Sequence, residues 1–148
     1  MNMKDERQFV GYSKYRSRLV DGHVHTELCP HGSGDRTALM IEKAIELRIE
    51  KVCLTEHAPL PAGFAAEYGG DKKAYNTASL KLNQVDSYLE LGRQLQRAYG
   101  THIDISLGFE VDYIPGFETD IQEFLDRYGP LTDDNILSVH FMEGVNNA

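Results

Sequence analysis

The sequence predicts an α/β fold with parallel strands, and three observations carry that expectation. Short apolar runs rich in branched residues alternate with longer runs of helical periodicity, in the order βαβαβαβ. Such alternation implies parallel strands joined by crossover helices, in an open doubly wound sheet or in a barrel. Polar, metal-competent residues fall at the C-terminal end of each strand run, the edge at which both architectures build their sites. Neither a Gly-x-Gly-x-x-Gly nor a P-loop follows the first strand, which weakens the nucleotide-binding version.

Residues 1 to 16 are polar and without sustained periodicity, so they read as a loose arm ahead of a domain spanning 17–148. Leu19 to His25 is the first strand. Asp35 is placed to cap a helix whose apolar positions Ile41, Ala44 and Ile45 recur at helical spacing. Lys51 to Thr55 is the second strand, followed by Ala58-Pro59-Leu60-Pro61. Pro61 to Tyr75, with Gly63, Gly69 and Gly70, reads as a long irregular loop, and loops of that length in compact domains tend to be functional. Leu82, Val85, Leu89 and Leu95 mark the inner stripe of a second helix that stops at Gly100. Ile103 to Val111 is the third strand. Phe117, Ile121, Phe124, Leu125 and Tyr128 form one face of a third helix ended by Gly129-Pro130, and Ile136 to Phe141 is the fourth strand.

Composition narrows the function. At 148 residues the chain suffices for one domain with a core, and 41% hydrophobic and 26% charged residues argue against wholesale disorder. No apolar run approaches the roughly 18 residues of a bilayer span. The N-terminus is charged with no apolar stretch behind it, unlike a secretory signal, so a soluble cytoplasmic protein is expected. A formal net charge of −8 disfavours tracking a nucleic-acid backbone. It leaves room for a small phosphorylated substrate, because bound cations reverse the local field. Cys29 and Cys53 show no C-x-x-C spacing and read as ordinary buried thiols in a reducing compartment.

The chemistry lies at the strand ends. Asp21-Gly22-His23-Val24-His25 closes the first strand, and residues i and i+2 of a strand share a face about 7 Å apart. Two imidazoles so placed can converge on one ion, although an H-x-H alone is equally at home on a polar strand end. His31 follows in Cys29-Pro30-His31-Gly32; Glu56-His57 ends the second strand, Glu110-Val111-Asp112 the third, and Ser138-Val139-His140 the fourth. Five of the six histidines take these positions, and His102, at the start of the third strand, is expected to be solvated. Glu110 sits between apolar neighbours, and a buried carboxylate without a partner costs several kcal/mol. The coincidence at four strand ends points to a metal site formed by His23, His25, His31, His57, Glu110 and His140. Imidazole and carboxylate donors suit zinc, manganese or iron better than magnesium or calcium. Six ligands exceed one tetrahedral site, so two or more ions bridged by Glu110 are expected, in a centre suited to hydrolysing a phosphate ester. Glu56 and Asp112 are candidates to orient the ligands. A structural zinc site using Cys29 and Cys53 is the competing metal reading, with little support from their spacing.

These motifs resemble the polymerase-and-histidinol-phosphatase (PHP) superfamily. Cys29-Pro30-His31-Gly32, Glu56-His57-Ala58-Pro59-Leu60-Pro61, Gly108-Phe109-Glu110-Val111-Asp112-Tyr113 and Leu137-Ser138-Val139-His140-Phe141 are similar to its histidinol-phosphatase branch, and the likeness runs from about Leu19 to Phe141. The resemblance implies a distorted seven-stranded β/α barrel, a trinuclear metal centre and hydrolysis of L-histidinol phosphate by metal-activated water. It implies that His23 and His25 hold one ion with Glu110, that Glu110 bridges to a second ion held by His140, and that His31 and His57 hold a third. The stretch from Pro61 to Tyr75 would cover the substrate. The family pattern continues with another histidine and an Asp-x-His, and neither follows His140 here. The chain is therefore expected to be the N-terminal part of such a barrel, about four β/α units, able to associate through open edges. Two alternatives accompany this expectation: another PHP phosphoesterase acting on nucleotides or nucleic-acid ends, and a non-catalytic metal-binding fragment.

Overall fold

The computed structural model describes residues 19–64 and 77–141. The expected arm of residues 1–16 and most of the expected loop, beyond Phe64, lie outside the described residues. The elements are β1 (Val20–Val24), α1 (Thr37–Glu46), β2 (Lys51–His57), α2 (Val85–Tyr99), β3 (Asp104–Asp112), α3 (Glu118–Tyr128) and β4 (Ile136–Ser138). All four strands are parallel and lie in the order β1-β2-β3-β4. A doubly wound sheet reverses its strand order at a switch point, whereas a barrel wall keeps sequence order. The sequential order therefore decides between the two architectures: the four strands form the curled wall of a partial β/α barrel.

Alternation along the strands gives that wall two chemistries. Val52 and Leu54 of β2 and Leu107 and Phe109 of β3 point to one side, into a core with Ile41 and Ala44 of α1, Val85, Tyr88, Leu89 and Leu95 of α2, and Tyr128 of α3. Cys53, Thr55 and His57, with Ser106, Gly108 and Glu110, take the opposite face, and every one of them but Gly108 is a polar or thiol group. β2 and β3 are in unbroken register from Lys51↔Asp104 to His57↔Glu110, so His57 and Glu110 emerge side by side.

Several local expectations are corrected. Helix α1 does not begin on Asp35: Arg36 occupies the cap position with extended backbone and no side-chain cap. The first amide is satisfied from a distance instead, since the Thr37 N–H donates to Glu27 Oε2 at 2.6 Å and the Glu27 N–H donates to Thr37 Oγ1 at 3.2 Å. Leu82 leaves the predicted inner stripe because it lies in a 3-10 turn, Leu82–Gln84, before α2 starts, and it is 59% exposed. Helix α2 ends at Gly100 without left-handed backbone (φ −62°), and what glycine supplies there is clearance for the Gln96 carbonyl. Helix α3 does end at Tyr128, before Gly129-Pro130 as expected, and one 3-10 turn, Gly129–Leu131, follows it. Strand β2 runs two residues further than expected, to His57, and β4 is shorter, so that His140 lies beyond its end.

The start of β4 at Ile136 has a physical reason. Before β4 begins, the outward amides of β3 are met by side chains: Leu107 N–H donates to Asp133 Oδ2 and Phe109 N–H to Asn135 Oδ1, each at 2.9 Å. The Asp134 carbonyl lies where a Cβ on residue 108 would be, so only glycine fits at Gly108. Exposed apolar side chains occur on both edge strands or next to them, Leu19 and Val20 at β1 and Leu137 and Val139 at β4. Among the described residues no helix is long and apolar enough to cross a membrane.

Candidate metal centre

The four strand ends converge on Glu110. Its carboxylate is buried, yet four imidazoles surround it, and its two oxygens face different ones. Oε2 lies 2.9 Å from His23 Nε2, 3.4 Å from His25 Nε2 and 3.2 Å from His57 Nδ1, whereas Oε1 lies 3.4 Å from His140 Nε2. Burial alone would raise the Glu110 pKa; the hydrogen bond from His23 and the charge of His57, His23 and His140 outweigh it and hold the carboxyl below its ordinary value.

Two of these imidazoles are fixed from behind by carboxylates. His25 Nδ1 donates to Glu56 Oε1 at 3.0 Å, which turns Nε2 toward Glu110. Glu56 is fully buried and also accepts from the Thr26 N–H (2.8 Å), the Thr26 hydroxyl (2.7 Å) and the His57 N–H (3.1 Å). Burial pushes the Glu56 pKa up, but the bonds from His25 and Thr26 bring it below the ordinary carboxylate value, and the same bond raises His25. His140 Nδ1 donates to Asp112 Oδ1 at 2.7 Å, an oxygen that also accepts from the Ser138 hydroxyl at 3.1 Å. Glu56 and Asp112, the two carboxylates singled out in the sequence, thus each accept a hydrogen bond from one of these imidazoles.

His57 differs from both. It is buried, and its Nδ1 makes no hydrogen bond despite its closeness to Glu110. Burial, the largest influence, lowers its pKa, which favours the neutral ring that a metal requires. An orphaned buried nitrogen is costly unless something absent from the polypeptide satisfies it. The donor set around it fits a divalent metal ion.

Among the described residues three groups of donors have ligand atoms within 4.8 Å of one another: His23, His25 and Glu110; His57, Asp112 and His140; and His25, Cys29 and Glu56. Glu56 is the weak member of the last group, because its two oxygens already accept four hydrogen bonds. His31 belongs to none of these groups among the described residues; its ring lies 5.0 Å from that of His57, and its Nδ1 is 3.7 Å from Cys29 Sγ. His102 is exposed, as expected, and Cys29 and Cys53 are buried free thiols. Sequence reasoning passed over Thr26 and Tyr88. Tyr88 lies between Val85 and Leu89 on the inner stripe of α2, so helical spacing could have found its ring, though not the role of its hydroxyl.

The ring of imidazoles around one carboxylate, at the C-terminal edge of a parallel β/α wall, is a donor set suited to divalent metal ions. A PHP domain is recognised over residues 21–147, and the chain belongs to that family. It is 41% identical over 122 residues to a histidinol-phosphatase of Bacillus subtilis (strain 168), an alignment covering 82% of this chain and 44% of the relative. The fold matches a crystal structure from Listeria monocytogenes, provisionally assigned as a histidinol phosphatase, with a TM-score of 0.81 and 44% identity, over 84% of this chain and 46% of that one. A histidinol phosphate phosphatase from Lactococcus lactis, solved with zinc, L-histidinol and phosphate, shares the fold with a TM-score of 0.63 at 24% identity, over 84% of this chain and 41% of that one. The chain spans less than half the length of each of these relatives.

Proposed function

We propose that the chain carries part of the metal centre of a phosphomonoesterase that hydrolyses L-histidinol phosphate to L-histidinol and phosphate, a step of histidine biosynthesis. The observation that carries this reading is the Glu110 carboxylate, whose two oxygens face different imidazoles while His57 Nδ1 is left without a hydrogen bond. The relationship to the Bacillus histidinol-phosphatase supports the substrate, as do the ligands of the Lactococcus structure.

His23, His25 and Glu110 would hold one divalent ion, with Glu110 shared toward His140 and with His57 and His31 completing the set. Zinc, manganese and iron suit these donors. Such ions, when bound, supply a water of lowered pKa and positive charge for the phosphoryl oxygens. The chain's own residues prepare for that chemistry. Glu56 holds the proton of His25 on Nδ1, leaving the Nε2 lone pair directed at the site. Asp112 does the same for His140. The buried flank of the site, formed by Glu56, His57 and Glu110, removes these groups from bulk water and strengthens their interactions.

The test is metal analysis of the purified chain, followed by phosphate release from histidinol phosphate, nucleoside monophosphates and oligonucleotide ends. Bound divalent metal with preferential turnover of histidinol phosphate is expected. Preferential turnover of nucleotides would move the substrate to the other phosphoesterase reading, which the −8 net charge disfavours for polyanions. Metal binding without turnover would leave a metal-binding fragment, and a chain that binds no divalent metal would remove the proposed centre.

A further inference from the structure

Tyr88 is fully buried, and its ring packs beside Phe109 at 5.2 Å between centroids. Its hydroxyl reaches from α2 to the seam between the two central strands. It lies 2.5 Å from the Gly108 carbonyl and 3.0 Å from the Leu54 carbonyl, so its single proton is shared between them, and it accepts from the Glu56 N–H at 3.3 Å. One side chain therefore contacts three main-chain groups on two strands. Gly108 is two residues before Glu110, and Glu56 immediately precedes His57. Desolvation raises the Tyr88 pKa far above its ordinary value, so the group remains a neutral donor throughout the working range.

We propose that Tyr88 is a positioning residue for the metal centre, its hydroxyl setting the height of the β2 end against the β3 end and so the approach of His57 Nδ1 to Glu110. The inference rests on the metal-binding reading of these residues. Tyr88 touches neither Glu110 nor any imidazole through its side-chain hydrogen bonds; it acts through the Glu56 amide and the Gly108 carbonyl. A phenyl ring of the same shape would fill the same volume in the core, which makes Tyr88→Phe a probe of the hydroxyl alone. The sheet would keep its register, since the β2–β3 pairing from Lys51 to Cys53 lies below the hydroxyl's contacts. Freedom would appear only at the carboxyl ends, where the donors are.

The experiment titrates the full 148-residue chain, its Tyr88→Phe variant and a Leu95→Val variant with Co²⁺ alone, reading the visible absorption bands and the affinity. Leu95 is buried lower on α2 and belongs to the core, so its truncation reports a loss of packing without a change at the seam. Melting temperatures of all three are recorded. The expected result is a loss of roughly tenfold in Co²⁺ affinity for Tyr88→Phe, the lower end of what outer residues of metal sites contribute, with altered band positions. Leu95→Val should keep the wild-type spectrum at whatever melting temperature it reaches. Wild-type affinity and spectrum in Tyr88→Phe would overturn the inference and leave the metal centre standing. A spectral change of equal size in Leu95→Val would also overturn it, because the effect would then be one of general packing. Failure of the wild-type chain to bind Co²⁺ would instead overturn the metal-binding reading, and this inference with it.

Discussion

His25 donates from Nδ1 to Glu56 Oε1 across 3.0 Å, and this bond ties the end of β1 to the end of β2. The β1–β2 ladder is irregular near this edge, since its register shifts between Asp21 and Val24. Glu56 compensates by gathering the Thr26 amide and hydroxyl as well. Replacing Glu56 by glutamine keeps the volume but turns an NH₂ toward donors that need an acceptor. Glu56→Gln should destabilise the metal-free chain by about 2 kcal/mol, the range of a hydrogen bond to a charged group. It should also weaken metal binding by about 10- to 100-fold, as loss of an orienting carboxylate does. Chemical denaturation in the presence of a chelator and a metal competition assay check the two halves, and wild-type values in both would refute the role.

The same pair gives a pH signature. Glu56 is held below its ordinary carboxylate value and His25 above its ordinary 6.5. A lowered carboxyl contributes stability that is present above its unfolded value and lost as pH falls through the folded one. A raised histidine contributes stability that is present below 6.5 and lost as pH rises through its folded value. The stability advantage of wild type over Glu56→Gln, measured without metal, should therefore be largest between 4.5 and 6.5 and narrow on both sides. An advantage that stays constant across both limbs would show that the pair does not titrate as the geometry requires.

Much of the fold was legible because periodicity and strand-end polarity report burial directly. His23, His25, Glu56, His57, Glu110 and His140 could be placed at one edge from sequence order alone, since each follows or ends an apolar strand run. What remained hidden was long-range satisfaction of polar groups. Nothing near Thr37 in the sequence announces that Glu27 will take its amide, and so Asp35 looked like the cap. Leu82 matched the helical stripe until the start of α2 at Val85 changed its phase. The anchoring of the segment before β4, with Asp133 and Asn135 substituting for strand amide partners, is likewise a tertiary event.

Glu110→Ala should abolish tight divalent-metal binding, because it removes the only carboxylate that reaches all four of His23, His25, His57 and His140 among the described residues. Asp112→Asn should have a milder effect, confined to the orientation of His140, with metal affinity falling by about tenfold. Elemental analysis after exhaustive dialysis separates the two, since the first variant should emerge empty and the second partly loaded. Retention of the full metal content by Glu110→Ala would show that this carboxylate does not join the imidazoles around an ion.

Gly108→Ala tests the link from β3 to the last ligand. A methyl at residue 108 would run into the Asp134 carbonyl, which cannot turn aside as a side chain would. The neighbouring Asp133 and Asn135 hold the Leu107 and Phe109 amides, and β4 starts one residue after Asn135. Displacing Asp134 should therefore loosen both side-chain anchors and shift β4, carrying Ser138 and His140 away from Asp112. Overpacking of this kind costs about 1–3 kcal/mol. The variant should melt lower and lose metal affinity together, whereas Gly22→Ala, where a Cβ meets nothing within 4 Å, should leave the melting temperature near that of wild type. Equal melting temperatures for Gly108→Ala and wild type would mean that the 133–135 segment yields freely, and that its side chains do not anchor β4.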